Sequence, residues 1–118
     1  VGYETIVWMG RALGFGHYDK GWHASATLDP IGTAAAASRA LGLTQQQMSN
    51  AMALATSSSS GLKRQFGSDT KAFHIGLAAE NGMRAALLAQ ADATANTDLG
   101  RPSGLYGSLW GSGVGSLC

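Results

Sequence analysis

The stretch that decides the fold runs from Gly21-Trp22-His23, through IGTAAAASRALGL at residues 31–43, to DTKAFHIG at residues 69–76. It places two histidines and a lysine at the ends of helices built from small residues, in a chain with few other charges. Small residues allow helix axes to approach closely. Reactive groups held on close-packed helices suggest proton-transfer chemistry on an anionic substrate.

Composition limits the other possibilities. The 118 residues are enough for one domain, and only 13% of them are charged, against about 25% in an average soluble domain. With 17 glycines, this fits a piece of a larger body. A net charge of +1 argues against a nucleic-acid partner, and no apolar run reaches the roughly 20 residues that span a membrane. The first residues contain neither a signal peptide nor an initiator Met, so we expect a cytoplasmic protein whose chain begins further upstream.

The spacing of apolar residues predicts an all-α bundle with four helices near residues 1–13, 30–41, 44–58 and 70–91 and no sheet. Asp29 and Pro30 resemble an N-cap followed by a first-turn proline, and Thr44 with Gln47 forms a capping-box pattern. The first helix is expected to bury the face formed by Tyr3, Ile6, Val7, Gly10 and Leu13. The fourth helix is expected to bury the face formed by Ile75, Ala78, Ala79, Gly82, Ala86 and Ala89.

His23 is the first candidate for chemistry. It follows Gly21 and Trp22 in a loop, where the glycine permits an unusual backbone and the indole can wall a dry pocket. A histidine in such a loop titrates near neutral pH and can serve as acid or base. The alternative, which the residues alone leave open, is a loop histidine that only bonds to the backbone.

Lys71 and His74 open the fourth helix and are one turn apart, so they project from nearly the same face. An ammonium at a helix N-terminus opposes the macrodipole, and a second cation candidate lies beside it. This arrangement is electrostatically poor unless an anion occupies the site, so it favours bound carboxylates. The alternative is a solvated lysine beside a core histidine.

Other patterns are weaker. Ser68-Asp69-Thr70-Lys71 matches the S-x-x-K signature of acyl-serine enzymes, but its companion motifs are absent. His17 and His23 are six residues apart and lack a nearby third ligand, so a zinc site is not expected from them. The glycine-rich residues 111–115 are not preceded by a strand, and Cys118 is a single incidental thiol.

An ordered series of motifs in residues 1 to 99 resembles the MmgE/PrpD family, which includes 2-methylcitrate dehydratase and cis-aconitate decarboxylase. No single element is specific, but the whole series is. Its elements are Gly2-Tyr3-Glu4, Gly21-Trp22-His23, Thr27-Leu28, the Gly-x-x-x-Ala-Ala pattern from Gly32, Leu41-Gly42-Leu43, the Ser-x-x-Ser-Gly pattern ending at Gly61, and the Lys-x-x-His-x-Gly-x-Ala-Ala-x-x-Gly helix from Lys71 to Gly82.

The resemblance implies roles for these residues. His23 corresponds to a histidine that lines the active site, Lys71 to a lysine that contacts substrate, and His74 to the histidine that follows it. We expect His74 and Trp22 to bind substrate or to support the residues that do. It also implies a homodimer of the full-length protein, small di- or tricarboxylate substrates and no cofactor. The implied reaction moves a proton next to a carboxylate, with loss of water, loss of carbon dioxide, or epimerisation.

The chain also departs from the family pattern. An upstream aspartate motif, a downstream basic motif and the smaller α+β domain have no counterpart in it. We therefore divide it into a partial helical domain at residues 1–99 and an irregular glycine-rich tail at residues 100–118. A one-base shift near Asp98 and Leu99 would restore a family-like Pro-Arg-Gly-Phe turn, so we hypothesise a frameshift there.

The sequence thus predicts an MmgE/PrpD-type lyase with His23 as acid or base and Lys71 as carboxylate clamp, and a short chain that is inactive when isolated. The competing interpretation is a non-catalytic helical remnant that binds an anion or a partner. An acyl-serine enzyme acting through Ser68 is a third.

Overall fold

The computed structural model describes residues 1–98, which contain five α-helices and no strand. The helices are α1 (Gly2–Leu13), α2 (Gly16–Asp19), α3 (Ala24–Ala40), α4 (Gln45–Ala55) and α5 (Asp69–Gln90), with 3₁₀ turns at Thr56–Ser58 and Lys63–Gln65. The prediction of an all-α fold is confirmed. The predicted glycine-rich tail and the hypothesised shift at its start fall almost wholly outside the described residues.

The central element of the bundle is α3, which packs against α1, α4 and α5. The buried core consists mostly of small residues, and its large apolar members are Met9 and Leu13 of α1 and Leu28 and Ile31 of α3. Two glycines set the helix spacing. A Cβ on Gly32 would lie 2.4 Å from Ile6 of α1, and one on Gly82 would lie 2.4 Å from the Cβ of Thr33. Both distances are too short for real atoms, so α3 lies in direct backbone contact range of both neighbours.

The start of α3 was predicted wrongly. The helix begins at Ala24 with His23 as N-cap, and Pro30 lies inside it instead of at its first turn. Proline has no N–H for the carbonyl of residue 26, which costs about 3 kcal/mol in a helix interior. The helix continues because the residues before Pro30 bury well: Ala26, Thr27 and Leu28 are all in the core. Burial has overridden the local start signal.

The predicted faces of α1 and α5 are partly wrong. Tyr3 and Val7 of α1 are exposed, and Met9 is buried instead. On α5, Ile75 and Ala79 are exposed, whereas the buried stripe contains His74, Ala78, Gly82, Ala85, Ala86 and Ala89. Because His74 is polar, a hydropathy pattern selects Ile75 in its place, whereas Ala78, Gly82, Ala86 and Ala89 are buried as predicted. The true face turns His74 inward, toward the start of α3.

The capping box at the start of α4 is confirmed. The Thr44 hydroxyl accepts from the Gln47 N–H at 3.1 Å, and the Gln47 side chain accepts from the Thr44 N–H at 3.0 Å. After Ala55 the chain tightens into the Thr56–Ser58 turn, so the predicted third helix covers both elements. Within residues 1–98 no helix combines the length and apolarity needed to cross a membrane.

Candidate active site

Two loops run side by side and fix the position of His23. The N–H of His23 donates to the carbonyl of Gly61 at 2.8 Å, and the N–H of Lys63 donates to the carbonyl of Gly21 at 2.8 Å. Between these bonds Trp22 and Leu62 form an isolated antiparallel bridge. The loop that follows α4 therefore holds the residue that precedes α3, with two glycines at the crossing. This pairing positions the imidazole of His23 at the start of α3.

His23 meets His74 of α5 inside the fold. Their Nδ1 atoms are 2.9 Å apart, a hydrogen-bond distance, and the two side chains are 6% and 8% exposed. The ring centroids are 5.2 Å apart and the planes are tilted by 43°. A nitrogen pair at this distance requires one donor and one acceptor. Each ring therefore uses its Nδ1 atom for the contact with the other ring, and its Nε2 atom is available for a different partner.

Phe66 joins this pair to Lys71. Its ring contacts the ring of His23 edge-to-face at 5.0 Å, and the ammonium of Lys71 lies 4.6 Å from its centroid. Cation–π contacts at such distances are weakly attractive where solvent is near. Sequence reasoning missed Phe66, although an aromatic residue in a basic loop between two motifs is an available signal. The structure thus brings His23, His74 and Lys71 to one place around Phe66.

The electrostatics of this cluster favour a neutral imidazole. Burial is the main cause that lowers the pKa of His23, and the charges of His74 and Lys71 lower it further. All three effects disfavour the imidazolium. At neutral pH His23 is therefore unprotonated on one ring nitrogen, which is the form that accepts a proton.

The other singled-out residues lie apart from the pair or serve the core. Trp22 is half-buried and packs against the hydrophobic core. The hydroxyl of Ser68 donates to the carbonyl of Gln65 at 2.7 Å, whereas the ammonium of Lys71 lies over Phe66. Ser68 and Lys71 are joined through the backbone, where the N–H of Lys71 donates to the carbonyl of Ser68 at 3.2 Å, and their side chains contact different groups. Within the described part of the chain, no group of three potential metal ligands comes together.

His17 of α2 is a buried histidine outside the pair. It is 2% exposed, and neither of its ring nitrogens has a hydrogen-bond partner among residues 1–98. Burial lowers its pKa, and the nearby backbone of Gly14 opposes this shift in part without meeting hydrogen-bond geometry. His17 lines an apolar cleft of about 630 Å³ between α1, α2 and α3. A second cleft of about 360 Å³ lies between α1, α3 and α5 beside Asp29, whose pKa burial raises. Neither cleft is lined by His23, Lys71 or His74.

Known proteins give the context for this geometry. Residues 1–112 match the model of the MmgE/PrpD N-terminal domain. Cis-aconitate decarboxylase of Aspergillus terreus is 35% identical over 91 residues, covering 75% of the chain and 19% of that enzyme. The human enzyme of the same name is 39% identical over 70 residues, covering 59% of the chain and 15% of the enzyme, and the mouse enzyme is 36% identical over 90 residues, covering 74% and 18%. The chain spans less than a fifth of the length of these relatives. The match over residues 1–112 shows that it belongs to the MmgE/PrpD family.

Proposed function

We propose that the chain supplies the histidine and lysine part of a lyase site that acts on a small di- or tricarboxylate. The observation that carries the proposal is the buried His23–His74 contact at 2.9 Å, with Lys71 beside it across Phe66. The names of the relatives favour cis-aconitate as substrate and decarboxylation as reaction. Dehydration and epimerisation remain within the proposal, because each also moves a proton next to a carboxylate.

His23 is the proposed acid or base. Its lowered pKa keeps it neutral at neutral pH, so it can take a proton from a carbon next to a carboxylate when water is eliminated. In a decarboxylation the bond to the departing carbon dioxide breaks, and the electron pair stays on the substrate carbon. For this reaction His23 first takes up a proton from water, which the negative charge of a bound carboxylate favours, and it then gives that proton to the carbon. His74 orients the ring through Nδ1 in both cases.

Lys71 is the proposed carboxylate clamp. It lies in the first turn of α5, which begins at Asp69, so an anion there meets both the ammonium and the positive end of the helix dipole. The side chain is exposed and rests over Phe66, from which a bound carboxylate can draw it. A carboxylate bound this way also offsets the charge that disfavours protonation of His23.

A homodimer and a cytoplasmic location are further proposals that rest on the family resemblance. Exposed aromatic side chains on the first helix and in the turn that follows it are compatible with a covering partner. Tyr3, Trp8 and Phe15 are 88%, 73% and 81% exposed. The same surface favours the second candidate function, a non-catalytic helical module that binds an anion or a protein.

An activity comparison tests the proposal. We would assay cis-aconitate, 2-methylcitrate and iminodisuccinate with the 118-residue chain and with a longer protein that contains it in frame. We expect weak binding and no measurable turnover by the chain alone, because it spans only a small part of its relatives. In the longer protein we expect His23→Gln to lower kcat by a factor of hundreds to thousands.

The control for this comparison is His17→Phe, which changes a buried histidine outside the cluster and should leave turnover unchanged. Full activity of the His23→Gln protein would place the chemistry elsewhere. If the longer protein binds carboxylates through Lys71 without converting any of the three compounds, the non-catalytic candidate is favoured.

A further inference from the structure

We infer that His23 and His74 form one proton-sharing unit, which carries at most one positive charge while the rings stay in contact, and that His74 sets the protonation state of His23. The catalytic meaning of this unit rests on the proposed function. The pairing itself does not, so it can be tested without substrate.

The charge limit follows from the contact between the rings. An imidazolium carries a proton on both nitrogens, so two imidazolium rings would bring two N–H groups together at a nitrogen separation of 2.9 Å. The doubly protonated pair must therefore break the contact. With one added proton, or with none, a single hydrogen lies between the two Nδ1 atoms. Protonation of the two rings is then coupled, and the pair takes up protons in two separate steps.

The charges that disfavour a second proton on the pair come from α5. From α5, His74 and Lys71 both lower the pKa of His23. The segment that follows α4 presents the uncharged ring of Phe66 and the carbonyl of Gly61. The cations of that segment lie elsewhere, because the ammonium of Lys63 is 3.9 Å from the ring centroid of Tyr18 and Arg64 is exposed.

The unit can pass a proton along. In its neutral state one ring carries Nδ1–H and a free Nε2, and the other carries Nε2–H. If His23 is the donor, its Nε2 can accept a proton from substrate while the shared proton moves to His74 and the Nε2 of His74 releases its own proton to water. The pair gains one proton and loses one, stays neutral, and exchanges the tautomers of its rings. His74 is then a proton-carrying partner as well as a positioning residue.

Nitrogen-15 NMR of the imidazole rings in the 118-residue chain tests the inference. The chain has three histidines, so His17 serves as an internal reference. At pH 8 we expect one of the paired rings to be the Nδ1–H tautomer and the other the Nε2–H tautomer. On acidification we expect the pair to take up protons in two steps separated by about one pH unit or more. Two Nε2–H tautomers with single, independent steps would overturn the inference.

Variants separate proton sharing from simple packing. In His74→Phe, which keeps a ring, and in His74→Gln, which keeps a polar group, we expect His23 to titrate in one step, at a higher pH than the second step of the wild-type pair, because the charge of His74 is gone. The pKa of His17 should stay unchanged in both. In His23→Gln we expect the ring of His74 to lose the tautomer that the pairing imposes, which covers the case in which one variant fails to fold. An unaltered two-step titration of His23 without His74 would refute the unit, whereas inactivity towards carboxylates would refute only the proposed function.

Discussion

Gly61 lies directly against the ring of His74. A Cβ on Gly61 would be 3.2 Å from both Cε1 and Nδ1 of that ring, and only 2.4 Å from the Cβ of Ala26. The carbonyl of the same glycine accepts the N–H of His23 at 2.8 Å. One residue without a side chain therefore supports both histidines. Its φ of +135° is a conformation that L-residues rarely adopt.

We expect Gly61→Ala to destabilise the fold by about 3 kcal/mol or more, because it adds both backbone strain and a clash with the site. Gly67→Ala is the matched control. Gly67 also has a positive φ, of +89°, but its Cβ would meet nothing within 4 Å, so it should cost only about 1–2 kcal/mol. Urea denaturation of the two variants gives the comparison. Equal losses would mean that contact with His74 and Ala26 contributes nothing.

A second matched pair of glycine variants, both on α5, tests the close spacing of α3 and α5. A Cβ on Gly82 would lie 2.6 Å from the carbonyl oxygen of Pro30, whereas one on Gly76 would meet nothing within 4 Å. We expect Gly82→Ala to destabilise the fold by about 1–3 kcal/mol through overpacking. Gly76→Ala should stabilise it by about 0.5–1 kcal/mol, because alanine suits a helix interior better. Thermal denaturation that moves both variants in the same direction would contradict the close packing of these helices.

Part of the helical fold could be predicted from the sequence, and the reason for success or failure differs from helix to helix. The start of α4 carries a local signal, the Thr44–Gln47 capping box, and the folded structure keeps it. The signal at Pro30 for the start of α3 is not kept, because it competes with burial of Ala26 and Leu28 from elsewhere in the fold. Tertiary packing decides such conflicts, and a single sequence does not record it.

The candidate site likewise contains residues that the sequence singles out and residues that it does not. His23, Lys71 and His74 stand in motifs, so residue type and family resemblance single them out. Phe66 is missed because its importance is geometric, since it touches His23 and Lys71 only after the loop has folded back. The supporting role of Gly61 is likewise invisible before the contacts to Ala26 and His74 are known.

The influence of Lys71 on His23 can be measured directly. Removing the ammonium with Lys71→Met should raise the pKa of His23, because one of the charges that oppose its protonation is lost. The control is Lys63→Met, since that ammonium rests over Tyr18 and is not among the causes of the shift. NMR titration of the His23 ring reads the result. High salt should reduce the difference between wild type and Lys71→Met, because it screens exposed charge. An equal shift in both variants would show that the effect is not specific to Lys71.

His17 gives a prediction for stability against pH. Burial lowers its pKa, so at acidic pH the unfolded chain binds more protons than the folded one. Stability that is present above the unfolded pKa of about 6.5 is then lost as the pH falls toward the folded value. His17→Phe removes this term, and it also removes two buried nitrogens without partners among residues 1–98.

We therefore expect His17→Phe to raise the free energy of unfolding by up to about 1 kcal/mol at pH 7.5, and by more at pH 5.5. Asp29 acts in the opposite direction as the pH falls, because burial raises its pKa. Comparing the two proteins at each pH cancels that contribution, as well as that of the His23–His74 pair. Urea denaturation at both pH values provides the measurement. A stability difference that shrinks on acidification would mean that His17 is charged in the folded protein and has a partner there.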